Sequence, residues 1–197
     1  MYDSKHPKII TKVHTVNNKT VVLSFDDGPS KVLTNILDIL KKEDVPAMFF
    51  WQTRLLYPKR PWQRVIDEGH GIGTHTINHP NLANMTYDQQ YKQIKTSTSD
   101  LERITGEKIR YFRPPFGQYN TDTIRVADEL GLQTVMWRIA SIDWELKYDP
   151  DQIISNVIDH VENGAIILLH ELEQTVEVLP IIISRLKEKG FTFRLLD

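Results

Sequence analysis

The feature that most constrains the fold of this chain is an alternation: short apolar runs rich in β-branched and aromatic residues recur between longer segments of helical period. The runs expected as strands are Val21–Phe25, Ala47–Trp51, Gly71–His75, Ile109–Arg113, Thr134–Arg138, Ala165–His170 and Phe191–Leu196. Repeated β-then-α units of this kind bury a parallel sheet beneath helices. Between the runs, Ser30 is placed to cap a helix running toward Glu43, Thr86 to cap a long one through Arg103, and Pro150 suits the first turn of another. Gly131 and Gly190 fit helix ends. Val32, Leu33, Ile36, Leu37, Ile39 and Leu40 mark the apolar face of the first of these helices. The expected class is α/β, a barrel of about seven parallel strands, with an open doubly wound sheet as the alternative. Polar clusters that follow strand after strand favour the barrel, because loops at the C-terminal strand ends build the site in that architecture.

Composition narrows the function. A chain of 197 residues with 40% hydrophobic content supports one domain over 1–197 with a sizeable core. With 24 basic and 26 acidic residues mixed along the chain and a formal net charge of -2, there is no electrostatic footprint for nucleic acid or an anionic membrane. There is no cysteine, hence no disulfide framework and no thiolate site, and any metal must be held by histidines and carboxylates. No stretch approaches the roughly 20 apolar residues of a membrane span, and Met1 to Ile10 lacks the apolar core of a secretory signal. The polar start Tyr2-Asp3-Ser4-Lys5-His6 also suits a trimmed boundary, so an extracellular or cell-wall location is expected if a leader has been removed and a cytoplasmic one otherwise. A monomer is expected.

Five clusters carry chemistry. In Ser24-Phe25-Asp26-Asp27-Gly28-Pro29 two carboxylates end an apolar strand; alternation along the strand lets them serve different partners, and their charges call for a metal, an arginine or a raised pKa nearby. His75 and His79, four apart, would face the same way in a helical turn, and a His pair with one carboxylate is a ligand set for a catalytic zinc. Arg113-Pro114-Pro115-Phe116-Gly117 puts a permanent cation at a strand end and stiffens the backbone, where Phe116 has an N–H and the prolines have none. A fixed N–H aimed at a developing oxyanion lowers the barrier by about 3 kcal/mol. Asp143-Trp144 and Leu168-Leu169-His170 complete the set, the histidine being either a core residue or an acid–base group oriented by the aspartate.

These motifs, in this order and over nearly the whole chain, resemble the polysaccharide deacetylases of carbohydrate esterase family four, the NodB homology domain. The resemblance implies a distorted (β/α) barrel and one divalent metal, usually zinc with cobalt as a substitute, bound by Asp27, His75 and His79. It implies Asp26 as general base with Arg113 as its orienting partner, and His170 as general acid oriented by Asp143. Leu168 and Trp144 resemble the walls of the pocket for the acetyl methyl, and Phe116 joins them on the substrate side. The implied reaction is hydrolysis of N-acetyl groups on an amino-sugar polymer such as peptidoglycan or chitin-like glycan. An O-acetyl esterase acting on xylan and a non-catalytic glycan-binding relative are the alternatives.

One departure bears on substrate choice. Many members read Asp-x-x-Asp-Trp in the fourth motif, whereas this chain has Ala140-Ser141-Ile142-Asp143-Trp144. An alanine there resembles the branch that acts on muramic acid residues of peptidoglycan, but that branch tends to carry arginine at the position of Phe116. No group given a catalytic role is lost.

Overall fold

A computed structural model describes residues 2, 4, 6–14 and 19–196. Of the polar start, Met1, Asp3 and Lys5 lie outside the described residues, as does Asp197 at the other end of the expected domain. The chain runs β1 (Ile9–Ile10), β2 (Thr20–Gly28), α1 (Leu33–Glu43), β3 (Ala47–Trp51), α2 (Trp62–Asp67), β4 (Gly71–Thr74), α3 (Tyr87–Thr105), β5 (Tyr111–Phe112), α4 (Thr121–Glu129), β6 (Gln133–Val135), β7 (Ile139–Ala140), α5 (Pro150–Ile158), β8 (Ile166–His170), α6 (Glu173–Glu188) and β9 (Thr192–Phe193).

The strands form one parallel sheet in the order β1-β6-β5-β4-β3-β2-β8-β7, with β9 pairing the start of β2. The sheet curls into a distorted (β/α) barrel, the class expected. All seven expected runs contribute a strand, and two short strands were missed. Ile9–Ile10 and Ile139–Ala140 are two residues each, too short to show a period. The chain after β1 turns back on the barrel through an antiparallel bridge from Lys12 to Ala165 and a 2.8 Å bond from the Val13 N–H to the Gly164 carbonyl.

Period-two alternation splits the core into two layers. Val21, Leu23 and Phe25 on β2, with Phe49 and Trp51 on β3, face the helices. Val22, Met48, Phe50, Tyr111, Val135 and Ile166 fill the barrel. Helix α1 packs on the outer layer through Leu33, Ile36, Leu37 and Leu40, the i, i+3, i+4, i+7 stripe. Thr86 caps α3 with a full capping box to Gln89, and Pro150 opens α5. Ser30 does not cap α1, which starts at Leu33 after a turn; its hydroxyl accepts from the Val32 N–H at 3.2 Å instead.

Continuing up β2, the inward positions after Val22 are Ser24 and then Asp26, and on β8 they are Ile166, Leu168 and His170. The barrel interior therefore changes from apolar to polar toward the C-terminal strand ends. That top layer is where the polar clusters meet.

Candidate active site

Asp26, Asp27, His75, His79, Pro114, Phe116, Gly117, Trp137, Trp144, Leu168 and His170 line a cavity of about 350 Å³ at this end of the barrel. Eight of the ten residues singled out in the sequence are on that wall. The other two, Arg113 and Asp143, are fully buried directly behind it.

Strand alternation should send Asp26 and Asp27 to opposite faces, but both enter the cavity. The ladder to β3 shifts register between Asp26 and Gly28, and Asp27 takes a left-handed backbone at φ 67°. This bulge returns the second carboxylate to the inner side. The histidine pair is a correction of the same kind. His75 to His79 is no helical turn: Thr76 and His79 have φ of 71° and 59°, and the Thr76 hydroxyl accepts from the His79 N–H at 3.0 Å. The turn still brings the two rings to 4.8 Å between centroids.

Backbone strain collects here. Asp27, Thr76, His79, Phe116 and Ile142 have positive φ, one or two in each of the first four motifs. Each such residue costs on the order of 1–3 kcal/mol, and β-branched Thr76 and Ile142 are the least suited to it. Asp27, His79 and Phe116 line the cavity themselves, Thr76 adjoins His75, and Ile142 precedes Asp143 behind the wall.

Asp27 Oδ1 lies 3.4 Å from His79 Nε2 and 3.8 Å from His75 Nε2, and one donor atom from each of the three residues falls within 4.8 Å of the others. The donors suit a metal chemically. His75 Nδ1 is 2.7 Å from the Arg113 carbonyl, which can only accept, so the proton sits on Nδ1 and the Nε2 lone pair faces the cluster. Burial first, then His75 alongside, holds the His79 imidazole below its ordinary value and so neutral. Burial alone would raise the Asp27 carboxyl, but His75, His79 and His170 and a hydrogen bond from Gln52 bring it below the ordinary value. The site is thus a candidate for one divalent cation.

Asp26 is served from behind. Arg113 donates through Nη1 to Asp26 Oδ1 at 2.6 Å and to Ser24 Oγ at 3.0 Å, and through Nε and Nη2 to the Val135 and Met136 carbonyls. Its guanidinium lies 4.0 Å from the centroid of the Phe50 ring. A flat, permanently charged group with this many fixed partners holds the carboxylate in one orientation. On the opposite wall Asp143 accepts three hydrogen bonds: Oδ1 from His170 Nδ1 at 2.7 Å, and Oδ2 from the His170 N–H at 2.7 Å and the Thr175 hydroxyl at 2.6 Å. Burial would lower the His170 pKa, but the bond to Asp143, the charge of Asp143 and those of Asp26 and Asp27 raise it above the ordinary value.

Leu168 forms the floor beside His170, Trp144 stands edge-on to the His170 ring at 5.0 Å, and Phe116 stands edge-on to His79 at 4.3 Å. Three residues escaped sequence reading. Trp137 lines the wall beside Gly117, where an added Cβ would come 2.8 Å from the indole. Glu171 is buried below Gly28; it accepts from Trp51 Nε1 at 2.8 Å and the Ser30 N–H at 2.7 Å, and burial pushes its carboxyl up to about 7. Gln52 reaches Asp27. Glu171 and Gln52 each directly follow a strand that ends in the site, which was the available signal.

The family model described as polysaccharide deacetylase matches residues 14–135, more than half of the chain. The chain belongs to this family. Among its relatives, the peptidoglycan-N-acetylglucosamine deacetylase of Bacillus cereus is 36% identical over 185 residues, covering 90% of this chain and 66% of the relative. The peptidoglycan-N-acetylmuramic acid deacetylase PdaA of Bacillus subtilis is 34% identical over 185 residues, covering 91% and 70%. This chain thus spans about two thirds of the length of each. A pseudoenzyme of carbohydrate esterase family 4 from Bacillus anthracis superposes with a TM-score of 0.88 at 32% identity, over 95% of this chain and 67% of that chain. Likeness of fold therefore does not decide turnover within the family, and the side chains at the site must carry that question.

Proposed function

We propose that this chain removes N-acetyl groups from an amino-sugar polymer, peptidoglycan foremost, by metal-dependent hydrolysis that releases acetate. The observation that carries the reading is the convergence on one cavity of two separately oriented proton-transfer groups, Asp26 on Arg113 and His170 on Asp143, around the Asp27, His75 and His79 cluster. Zinc is the cation these oxygen and nitrogen donors suit first, and cobalt is the natural substitute. When bound, the metal supplies Lewis-acid polarisation and acidifies water.

The chain's own residues supply the rest. Amide cleavage needs a base for the attacking water, a place for the oxyanion and a proton for the leaving nitrogen. Asp26, held in one orientation by Arg113, takes the proton from the water. His170 donates its Nδ1 proton to Asp143, and the neighbouring carboxylates favour its imidazolium form, so it carries a second proton on Nε2 and delivers it to the departing amine. The Phe116 N–H, set by the left-handed backbone at φ 58°, is the donor for the oxyanion. Leu168 and Trp144 exclude water around the acetyl methyl. The glycan-binding alternative requires a missing base, acid or ligand, and every one of these positions is filled.

Acetate release from N-acetylglucosamine oligomers and from peptidoglycan tests the reading. Zinc-loaded protein should turn over, thorough chelation should abolish it and zinc or cobalt should restore it. Full turnover in metal-free protein, or none in loaded protein on any N-acetylated glycan, would overturn it.

A further inference from the structure

Between the carboxylate and the histidines of the candidate metal site lies a segment that belongs to none of the five motifs. Trp51 to Arg54 leaves the end of β3 and hydrogen-bonds to the turns on both sides. The Gln52 N–H donates to the Gly28 carbonyl at 2.9 Å, next to Asp27. The Trp51 carbonyl accepts from the His75 N–H at 2.9 Å, and the Thr53 and Arg54 N–H groups donate to the Thr76 and Ile77 carbonyls at 3.2 and 3.1 Å. This stretch of backbone thus ties the turn bearing Asp27 to the turn bearing His75 and His79.

The Gln52 side chain repeats the link. It is 4% exposed, its Nε2 donates to Asp27 Oδ1 at 2.6 Å, and its Oε1 accepts from Arg54 Nε at 2.9 Å. The orientation of the amide is fixed by chemistry. Arginine only donates, so the amide oxygen must face Arg54, and a carboxylate only accepts, so the NH2 must face Asp27. Among the described residues, no other hydrogen bond reaches the Asp27 carboxylate. The oxygen Gln52 holds is the one nearest both imidazole nitrogens, while Oδ2 points to His170 Nε2, 4.0 Å away.

We propose that Gln52 is a positioning residue for the metal site: its amide, oriented by Arg54, fixes Asp27 Oδ1 toward His75 and His79 and sets the affinity of the chain for a divalent cation. The inference rests on the reading of Asp27, His75 and His79 as ligands. A neutral donor suits this task because it immobilises the carboxylate without cancelling its charge. Groups that orient ligands in this way typically govern metal affinity by 10- to 100-fold.

The test is competition for zinc against a chromophoric chelator, with the visible spectrum of the cobalt-loaded protein as a second readout. Wild type, Gln52→Met and Arg54→Met are compared, each checked for fold by its thermal transition. Gln52→Met should weaken zinc binding about 10- to 100-fold and alter the cobalt bands. Arg54→Met, at an exposed position, should fold even where Gln52→Met does not, and should weaken binding about several-fold because the amide is then free to turn over. Excess zinc should restore turnover in both variants, because neither residue touches the reacting atoms. Folded variants that bind zinc as tightly as wild type with unchanged cobalt bands would overturn the proposal. Wild-type protein that takes up no zinc would instead remove the ligand assignment, and this inference with it, an outcome distinct from equal binding by all three.

Discussion

Asp26 and His170 are Cα partners across the parallel ladder between β2 and β8. Partners on a ladder send their side chains to the same face, so the proposed base and acid enter the cavity side by side from two strands that share a row of hydrogen bonds. Each is fixed from outside the cavity, Asp26 by Arg113 and His170 by Asp143. Between them the bulge at Asp27 inserts a second carboxylate that faces the histidine pair. Two adjacent acids of like charge are thus given different electrostatic partners, and hence different work, by one shift of register.

Asp26→Asn should reduce kcat by about 10²–10⁴-fold, as expected for a general base, while metal content stays near the wild-type value. Metal analysis alongside turnover checks this. Loss of metal in the Asn variant would show that the two carboxylates exchange roles.

The Asp143–His170 pair makes a prediction about pH. His170 has its pKa raised above the ordinary value of 6.5, against the lowering effect of burial, chiefly by its bond to Asp143. An acid of this kind sets the alkaline limb of the rate profile, since activity falls as its proton is lost. Asp143→Asn should lower turnover and move the alkaline limb to lower pH with metal content unchanged. His170→Ala should lower kcat strongly, and the double variant should cost little more than His170→Ala alone, because groups acting as one unit are non-additive. An unmoved limb, or losses that simply add, would separate the two residues.

How much of this was legible in the sequence depended on the range of the interaction that fixes each feature. β3 and β8 are apolar runs buried on both faces, and their expected bounds agree with the structure to within a residue. Thr86 and Pro150 act through neighbouring backbone, so their caps were readable as well. The two-residue strands β1 and β7 exist only because distant partners pair with them, and no local pattern marks them. Of the left-handed residues, β-branched Thr76 and Ile142 are types that avoid that region, and Asp27 and His79 enter it only occasionally, so the bulge and the turn could not be read from propensity. Motif order located the cavity, whereas Gln52, Glu171 and Trp137 came to light only once the strand ends were brought together.

Arg113 and Asp26 form a buried ion pair, and breaking it from one side should be costly. Arg113→Met leaves a carboxylate without its partner at a site that is 3% exposed, and should destabilise the protein by roughly 3–5 kcal/mol in denaturant unfolding. Adding Asp26→Leu should recover most of that loss, because apolar replacement of both partners is close to neutral. Equal stability of Arg113→Met and wild type would mean that the guanidinium is not needed to hold Asp26.

Two buried groups that the reaction does not use should shape stability against pH in opposite directions. His70 accepts from the Ala47 N–H through Nδ1, so its ring is neutral, and burial lowers its pKa from 6.5 to about 4. Its contribution is therefore complete above pH 6.5 and is lost as pH falls toward 4. Glu171 is raised from 4.5 to about 7, again by burial first, so the folded state favours its neutral form. Its contribution is complete below pH 4.5 and is lost as pH rises through 7. Within its window each group changes stability by at most about 1.4 kcal/mol per pH unit, and between about 4.5 and 6.5 the two slopes oppose each other. Wild-type stability should accordingly show little dependence on either group there. Glu171→Gln should leave the His70 slope uncovered, with the thermal midpoint rising with pH across that interval relative to wild type. His70→Gln should leave the Glu171 slope, with the midpoint falling with pH up to about 7. Parallel profiles for wild type and both variants would show that neither group is held in its neutral form by the fold.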